Sequence, residues 1–541
     1  MTPHLPRTGP SPHQETPVAR SPFGNYGHAI LTAGALRTPD KVALTYCGAT
    51  SLTYAALDRK VNRVAHALLE AGIHPGQRVA SLMNETLNVA EVYLAQMKLG
   101  SVVCALNPYW PEDTLAQVVE HSECTAFVYD ASVEKLVAAV RPRLPGVRLW
   151  LRVGGPAEGA VDLDALASAA TEDEPPLGGH GDDLMALFYT SGTTGLPKAV
   201  RHTHASSLAS AQIWLDIPHA ADSVMGTGAI IWGIGFPALV GPAFYAGMRL
   251  VLEQDWGPAN FLKVVPRERV THVSLIPSFF SALLGSDDHV DVDLSSLTAI
   301  VLGGEPLLPS LRERIMKRLP GAAIVSYYGQ TEAPYTCIGR QDDGSQDISS
   351  AGRARTSAAV RVTGPNGERL VNQVGEINLT GPNLMQGYDR LPDKTAQVLR
   401  DGWYVGGDLG IIDEDGFLTV LGRREDAILK RGVWSQPSGL EDAAIELDGV
   451  AEAGVVGVPA QADGEDAVEQ RILAAVVPRA GAVLDADDLR ARLAARLPAH
   501  QAPDLVVVTD ELPHTQDASG GPGKLLRREI RTRYADRLEL R

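Results

Sequence analysis

The stretch Tyr189-Thr190-Ser191-Gly192-Thr193-Thr194-Gly195-Leu196-Pro197-Lys198 follows an apolar run, Leu184 to Phe188. An apolar run that ends in a Gly-rich turn reads as a buried strand leading into a ligand-facing loop. Gly192 and Gly195 let the backbone turn tightly and come close to a ligand. Successive N–H groups and the hydroxyls of Thr190, Ser191, Thr193 and Thr194 suit phosphate oxygens, and Lys198 adds charge. The Walker A spacing GxxxxGK[ST] is absent, so this is a different kind of phosphate cradle. Composition alone equally describes a solvated Ser/Thr/Gly turn.

Working outward, Thr53 to Gly72 has a helical pattern. Leu57, Val61, Val64, Ala65 and Leu68 share one face, Thr53 can cap the start, and Gly72 can end it. Then come the run Val79 to Met83, a helical stretch Leu87 to Leu99, the run Val102 to Leu106, a helix after Pro111, and strand-like Phe127 to Tyr129. This alternation predicts βαβ units and parallel sheets. Gly154 to Gly181 reads as a loose surface connection. The α/β pattern continues to about residue 345.

From Ala359 to Leu421 the short runs AVRVT, GEINL, GIID and FLTVL, broken by Gly, Pro, Asn and Asp, predict a small, mostly antiparallel subdomain. Beyond Gly422, helical Leu440 to Leu447 and Ala486 to Leu497 alternate with strand-like Val455 to Val458 and Leu473 to Val477. The expected architecture is α/β. Residues 1–24 form a disordered tail. Residues 25–422 form a large N-terminal domain of α/β subdomains with parallel sheets plus the β subdomain. Residues 423–541 form a small α+β C-terminal domain.

The bulk numbers agree. A chain of 541 residues exceeds one ordinary core. Its 45% apolar and 21% charged content is that of a globular protein. A net charge of −17 argues against general affinity for nucleic acid or anionic membrane. No stretch approaches the ~18 apolar residues that span a bilayer. The four cysteines show no CxxC spacing, which fits a reducing cytoplasm. Cys104 and Cys124 read as small buried hydrophobes.

Further strings follow the loop in order: Gly303-Gly304-Glu305-Pro306-Leu307, then Tyr327-Tyr328-Gly329-Gln330-Thr331-Glu332, then Tyr404 to Asp408, Gly422-Arg423 and Gly523-Lys524. With all of these in order, the chain after residue 25 resembles the AMP-forming, adenylate-forming superfamily. That superfamily includes acyl-CoA synthetases, the amino-acid-activating domains of peptide synthetases, and beetle luciferase.

The resemblance implies that ATP and Mg²⁺ activate a carboxylic acid as its acyl-adenylate, with release of pyrophosphate. Coenzyme A is the expected acceptor in a second step. Tyr327, Tyr328 and Gly329, with Gly303, Gly304, Glu305 and Pro306, would hold the nucleoside. Thr331 would meet the α-phosphate and Glu332 the Mg²⁺. Asp408, acceptor-only when ionised, matches the two ribose hydroxyls, and Arg423 can reach the same ribose. Lys524 would neutralise charge at the reacting phosphate, which requires a mobile C-terminal domain to close over the site. The carboxylate is already the nucleophile, so no side-chain base is needed. His202 and His204 read as packing or polar residues rather than metal ligands.

Two segments depart from the family pattern or narrow the substrate. Glu425 holds the usual hinge place. In Lys430 to Glu441, Gly432, Pro437 and Glu441 match, whereas Trp434, Ser435, Gln436 and Gly439 do not, and a Trp there would narrow a thiol tunnel. The expected function is therefore an acyl-CoA ligase. The alternative is an adenylation-only enzyme that hands its product to an acyl-acceptor enzyme or carrier. The acyl-pocket region, Gly226 to Pro237, contains Trp232, Gly233, Ile234 and Phe236, and no charge appears until Arg249. That disfavours amino acids, whose ammonium wants a carboxylate, and favours an aryl, alicyclic or fatty acid. A kinase would need a Walker A or kinase signature. A non-catalytic nucleotide binder would not need Glu332 and Lys524.

Overall fold

Thr53 accepts the Ala56 N–H and caps the helix Tyr54–Glu70, whose Leu57, Val61, Ala65 and Leu68 are fully buried. Beside it packs the helix Thr86–Leu99, which ends at left-handed Gly100. The computed structural model describes residues 24–190, 196–212, 217, 219–220, 222–227, 233–340, 350–355, 357–459, 469–479, 481–516 and 522–539. The tail expected at the N-terminus lies outside these, apart from Gly24.

Two large sheets build the first part of the chain. One has eight strands, with Arg78–Leu82, Val102–Ala105, Ala126–Asp130 and Leu184–Thr190 running parallel at its centre. Lys198–Thr203 turns back antiparallel on Leu184–Thr190, so the loop between them joins a hairpin. The other sheet has nine strands. Its parallel part runs through Arg249–Leu252, Val224–Thr227, His272–Leu275, Ala299–Leu302 and Ala323–Gln330. Ala333–Arg340 then returns antiparallel. The parallel strands are buried on both faces, which explains their continuous apolar runs.

The expected β subdomain is an antiparallel sheet containing Ala359–Thr363, Gly375–Thr380, Trp403–Ile412 and Leu418–Arg423. The C-terminal region folds around the strands Val450–Pro459, Gln470–Pro478 and Leu505–Val508. Leu440 and Ala444 from the helix Pro437–Ile445, and Leu489 and Leu493 from Ala486–Arg496, close its core.

One expectation needs correcting. The segment Gly154 to Gly181 is not merely a loose connection. It contains the strand Val161–Asp162 and the helix Leu163–Ala169, capped by Asp162, which packs on Tyr54–Glu70. Its Glu174 then reaches fully buried Lys98, whose ammonium also meets Asp58 at 2.7 Å. A buried ammonium requires such partners. The helix is Ala-rich and only two turns long, so its periodicity is too weak to read. Among the described residues no helix is long and apolar enough to cross a membrane.

Candidate active site

Asp408 and Arg423 face each other as partners on the antiparallel strands Trp403–Ile412 and Leu418–Arg423. Arg423 Nε lies 3.0 Å from Asp408 Oδ1. The other oxygen, Oδ2, accepts from Tyr328 Oη and from Gln330 Nε2, both at 2.6 Å. Tyr404 Oη donates to Gln330 Oε1 at 2.7 Å, which fixes the orientation of the amide. Asp408 is 6% exposed. It is thus an oriented, nearly buried acceptor whose present donors can give way to hydroxyls of a ligand. Burial, and then the adjacent Asp408 carboxylate, hold the Tyr328 phenol well above its ordinary pKa, so it stays a donor.

A second cluster sits beside it. Glu332 is 5% exposed and accepts from Tyr388 Oη at 2.7 Å. Lys198 Nζ donates to the same hydroxyl at 3.3 Å and lies 4.5 Å above the Tyr388 ring. The segment bearing Tyr388 is strapped in place by backbone bonds. Met385 N–H donates to Glu332 C=O, and Asp389 N–H to Ala199 C=O, each at 2.8 Å. The Asp389 side chain is fully buried and takes both arms of Arg78, at 2.8 and 2.9 Å, with Arg201 at 3.3 Å. The sequence reading named neither Tyr388 nor Gln330 as a site residue. Gln330 stood inside the quoted YYGQTE string; Tyr388 carried no motif signal and emerges only from tertiary placement.

The residues fit a magnesium nucleotide. Glu332 offers hard carboxylate oxygens, and among the described residues Tyr388 alone donates to them. Thr190 Oγ1, at the end of the strand Leu184–Thr190, is buried without a hydrogen-bond partner among the described residues. Ser191, Gly192, Thr193 and Thr194 lie outside the described residues. Gly304 has a left-handed φ of 81°, and Gly303 has no room for a side chain, because a Cβ would stand 2.5 Å from the Tyr327 ring. Glu305 accepts the Ser278 N–H at the first turn of the helix Pro277–Leu283. Thr331 C=O accepts from His202 Nε2 at 2.7 Å, so His202 carries its proton there while Nδ1 faces Ser206 Oγ. Burial lowers both His202 and His204 to a pKa of about 4. They are neutral packing residues, and among the described residues no His, Cys, Asp or Glu cluster could hold a metal alone.

Lys524 lies on the strand Pro522–Leu525, paired with His514–Gln516 and packed on the helix Pro277–Leu283. The small domain thus rests against the large one with the Lys524 strand at the contact. Glu425 is exposed in the turn after Arg423, which is closed by Ala427 N–H to Arg423 C=O at 3.0 Å. Gly432, at a φ of 71°, tips the hairpin between Ile428–Lys430 and Val433–Ser435, where Glu469 accepts its N–H. Trp434 on that hairpin is 47% exposed. Of the residues expected in the acyl pocket, Trp232 lies outside the described residues, while Gly233 and Ile234 form a turn. Phe236 is fully buried, with its ring 5.3 Å from that of Tyr93.

The AMP-binding enzyme family matches residues 31–389, and its C-terminal domain matches 439–518. The chain belongs to the AMP-binding enzyme family. This AMP-binding enzyme is 35% identical over 494 residues to a feruloyl-CoA synthase from Amycolatopsis sp., covering 90% of this chain and 95% of the relative. It is 29% identical to the 3-hydroxybenzoate–CoA ligase of Aromatoleum sp. strain CIB, covering 89% and 92%. ATP-bound MatB from Rhodopseudomonas palustris superposes with a TM-score of 0.84 at 26% identity, over 95% of this chain and 99% of that one. The AMP-binding enzyme is an adenylate-forming ligase of the acyl-CoA synthetase type, using ATP, Mg²⁺ and coenzyme A. The adenylation-only alternative is not favoured by these relatives.

Proposed function

We propose that this enzyme works in the cytosol on an apolar, aromatic carboxylic acid, activating it as the acyl-adenylate and passing it to the thiol of coenzyme A. The observation that carries the assignment of roles is the pairing of two oriented carboxylates. Asp408 is set by Tyr328, Gln330 and Arg423, and Glu332 by Tyr388 beside Lys198. The aromatic preference is supported by the two relatives named for aromatic acids, and by the uncharged run from Gly226 to Met248.

In this reading Asp408 and Arg423 hold the ribose, and Tyr327, Tyr328 and Gly329 line the base with Gly303, Gly304, Glu305 and Pro306. Thr190, Ser191, Gly192, Thr193, Thr194 and Lys198 bind the leaving pyrophosphate. Glu332 would hold Mg²⁺, which neutralises phosphate charge when bound. Thr331 orients the α-phosphate. The buried surroundings keep water out, so the acid's carboxylate is the nucleophile that reaches the phosphorus. Lys524 then meets the charge that grows there, and placing a cation at that point lowers the barrier. Residues 25–422 and 423–541 act as the two bodies that close on each other, turning at Glu425, with Gly432 and Trp434 facing the thiol in the second step.

The decisive experiment is an acid panel assayed for AMP formation with and without coenzyme A. Aromatic acids should support CoA-dependent AMP release, and amino acids or acetate should not. Preference for an amino acid or acetate overturns the substrate class. AMP release that coenzyme A never accelerates overturns the thioester step. Lys524→Ala should cut pyrophosphate exchange by about 100-fold or more, and unchanged exchange would overturn its role.

A further inference from the structure

The helix Pro309–Arg318 begins just after the segment Gly303 to Leu307 and packs on the helix Pro277–Leu283. Glu305 of that segment holds the first turn of Pro277–Leu283 through the Ser278 N–H, at 3.0 Å. Both helices are therefore fixed to the stretch assigned to the nucleoside, one by chain continuity and one by a side chain. Pro309–Arg318 starts without a cap of its own. Its N-cap is Leu308, whose side chain cannot accept from the free first-turn N–H groups. An acceptor comes from the small domain instead: Ser310 Oγ, in that first turn, donates to Asp442 Oδ1. The two residues are 132 positions apart, and both are half-buried. The helix dipole also favours a carboxylate at this end.

Asp442 is tied to the part of the small domain that bears Lys524. It lies on the helix Pro437–Ile445, next to Glu441. The buried Glu441 carboxylate accepts from Arg527 Nη2 at 2.8 Å and from Arg527 Nε at 3.1 Å, and it also accepts the Val455 N–H at 3.0 Å. Arg527 follows Lys524 by three residues and opens the helix Arg527–Tyr534. These bonds lie within the small domain and travel with it. The Ser310–Asp442 bond is different, because it spans the two domains and exists only while they stand in this arrangement. In the same arrangement the strand Pro522–Leu525, with Lys524, packs on Pro277–Leu283.

We propose that Asp442 is a positioning residue for adenylation: by its bond to Ser310 across the domain contact it latches the small domain where Lys524 meets the reacting phosphate. The inference rests on the adenylation role given to Lys524. The latch acts at the N-terminus of a helix that continues from the nucleoside segment, so it fixes Lys524 relative to the bound nucleotide rather than to a remote surface. Transfer of the acyl group to coenzyme A follows a turn of the small domain at Glu425, which breaks the Ser310–Asp442 bond. Loss of the latch should therefore slow adenylation and spare the transfer.

The test is acid-dependent pyrophosphate exchange by the full-length enzyme, Asp442→Ala, Ser310→Ala, the double variant and Asp442→Asn. Each alanine variant should lose about 10-fold in exchange, the effect of one hydrogen bond to a charged group. The double variant should be no worse than either single one, because both remove the same bond. Asp442→Asn keeps an acceptor for the Ser310 O–H and should recover most of the rate. Thioester formation from supplied acyl-adenylate and coenzyme A should match the parent in all four. If Asp442→Ala fails to fold, Ser310→Ala carries the test from the large domain. Unchanged exchange, losses that multiply in the double variant, or an equal loss in both half-reactions would each overturn the latch. Lys524→Ala is run beside them: full exchange in that variant overturns the adenylation role of Lys524, whereas its loss with the latch variants unaffected overturns the latch alone.

Discussion

The Tyr388 hydroxyl donates to the Glu332 carboxylate at 2.7 Å while accepting from Lys198 at 3.3 Å. One phenol thereby joins the carboxylate proposed for Mg²⁺ to the lysine at the end of the phosphate loop. Burial and the neighbouring Glu332 carboxylate raise its pKa, so it remains a donor at working pH. Tyr388→Phe removes a hydrogen bond to a charged group, worth about 1.5–3 kcal/mol. The expected result is adenylation slowed by about 10- to 100-fold, with a higher Mg²⁺ requirement. Calorimetric binding of ATP with and without Mg²⁺ checks it: the metal-dependent part of the affinity should shrink. Unchanged metal dependence would show that Tyr388 merely packs.

Gln330 relays orientation from Tyr404 to Asp408 through one amide, with bonds of 2.7 and 2.6 Å. Gln330→Glu converts the donor facing Asp408 into a second carboxylate. Two like charges in a nearly buried site repel, so nucleotide binding should weaken by about 10-fold or more. The defect should fall on the KM for ATP, with the KM for the acid little changed. Steady-state kinetics with each substrate varied in turn would decide this.

How much of this was legible beforehand depends on what kind of information each feature uses. The capped helix Tyr54–Glu70 and the parallel strands around Leu184–Thr190 follow from local periodicity, which any short window reports. Asp408, Arg423 and Glu332 stood out because they lie in strings that resemble, in the same order, those of the AMP-forming, adenylate-forming superfamily. Tyr388 was invisible because its side-chain partner Glu332 is 56 positions away, and no local pattern encodes such a pairing. Phe236 was read only as an apolar residue beside a glycine-rich turn, and its packing against the Tyr93 ring is a tertiary contact that no local window reports.

Asp389 ties two distant strands together. Its fully buried carboxylate accepts both arms of Arg78 from the strand Arg78–Leu82 and one contact from Arg201. Removing one member of a buried pair leaves the other charge unpaired, at a cost of about 3–5 kcal/mol. Asp389→Ala should therefore lower unfolding stability by that order in denaturant titration. It should also weaken the Mg²⁺ dependence set by Tyr388, the adjacent residue. A loss below about 1 kcal/mol, the size typical of surface pairs, would show that Arg78 finds other partners.

The buried histidine at position 202 makes the fold acid-sensitive, and the sign can be worked through. Burial lowers its pKa from 6.5 to about 4, so the native state keeps it neutral while the unfolded chain takes up a proton below about 6.5. Between those values the unfolded state binds more protons, and stability falls as pH falls. A shift of this size corresponds to roughly 3 kcal/mol lost by pH ~4. The Thr331 carbonyl needs an N–H at this point, and a glutamine can supply one without titrating. His202→Gln should therefore be less stable than the parent near neutrality, yet lose less stability on acidification. Denaturant unfolding of both proteins between pH ~7 and ~4 measures the two slopes, and parallel slopes would show that His202 is already charged or solvated in the native state.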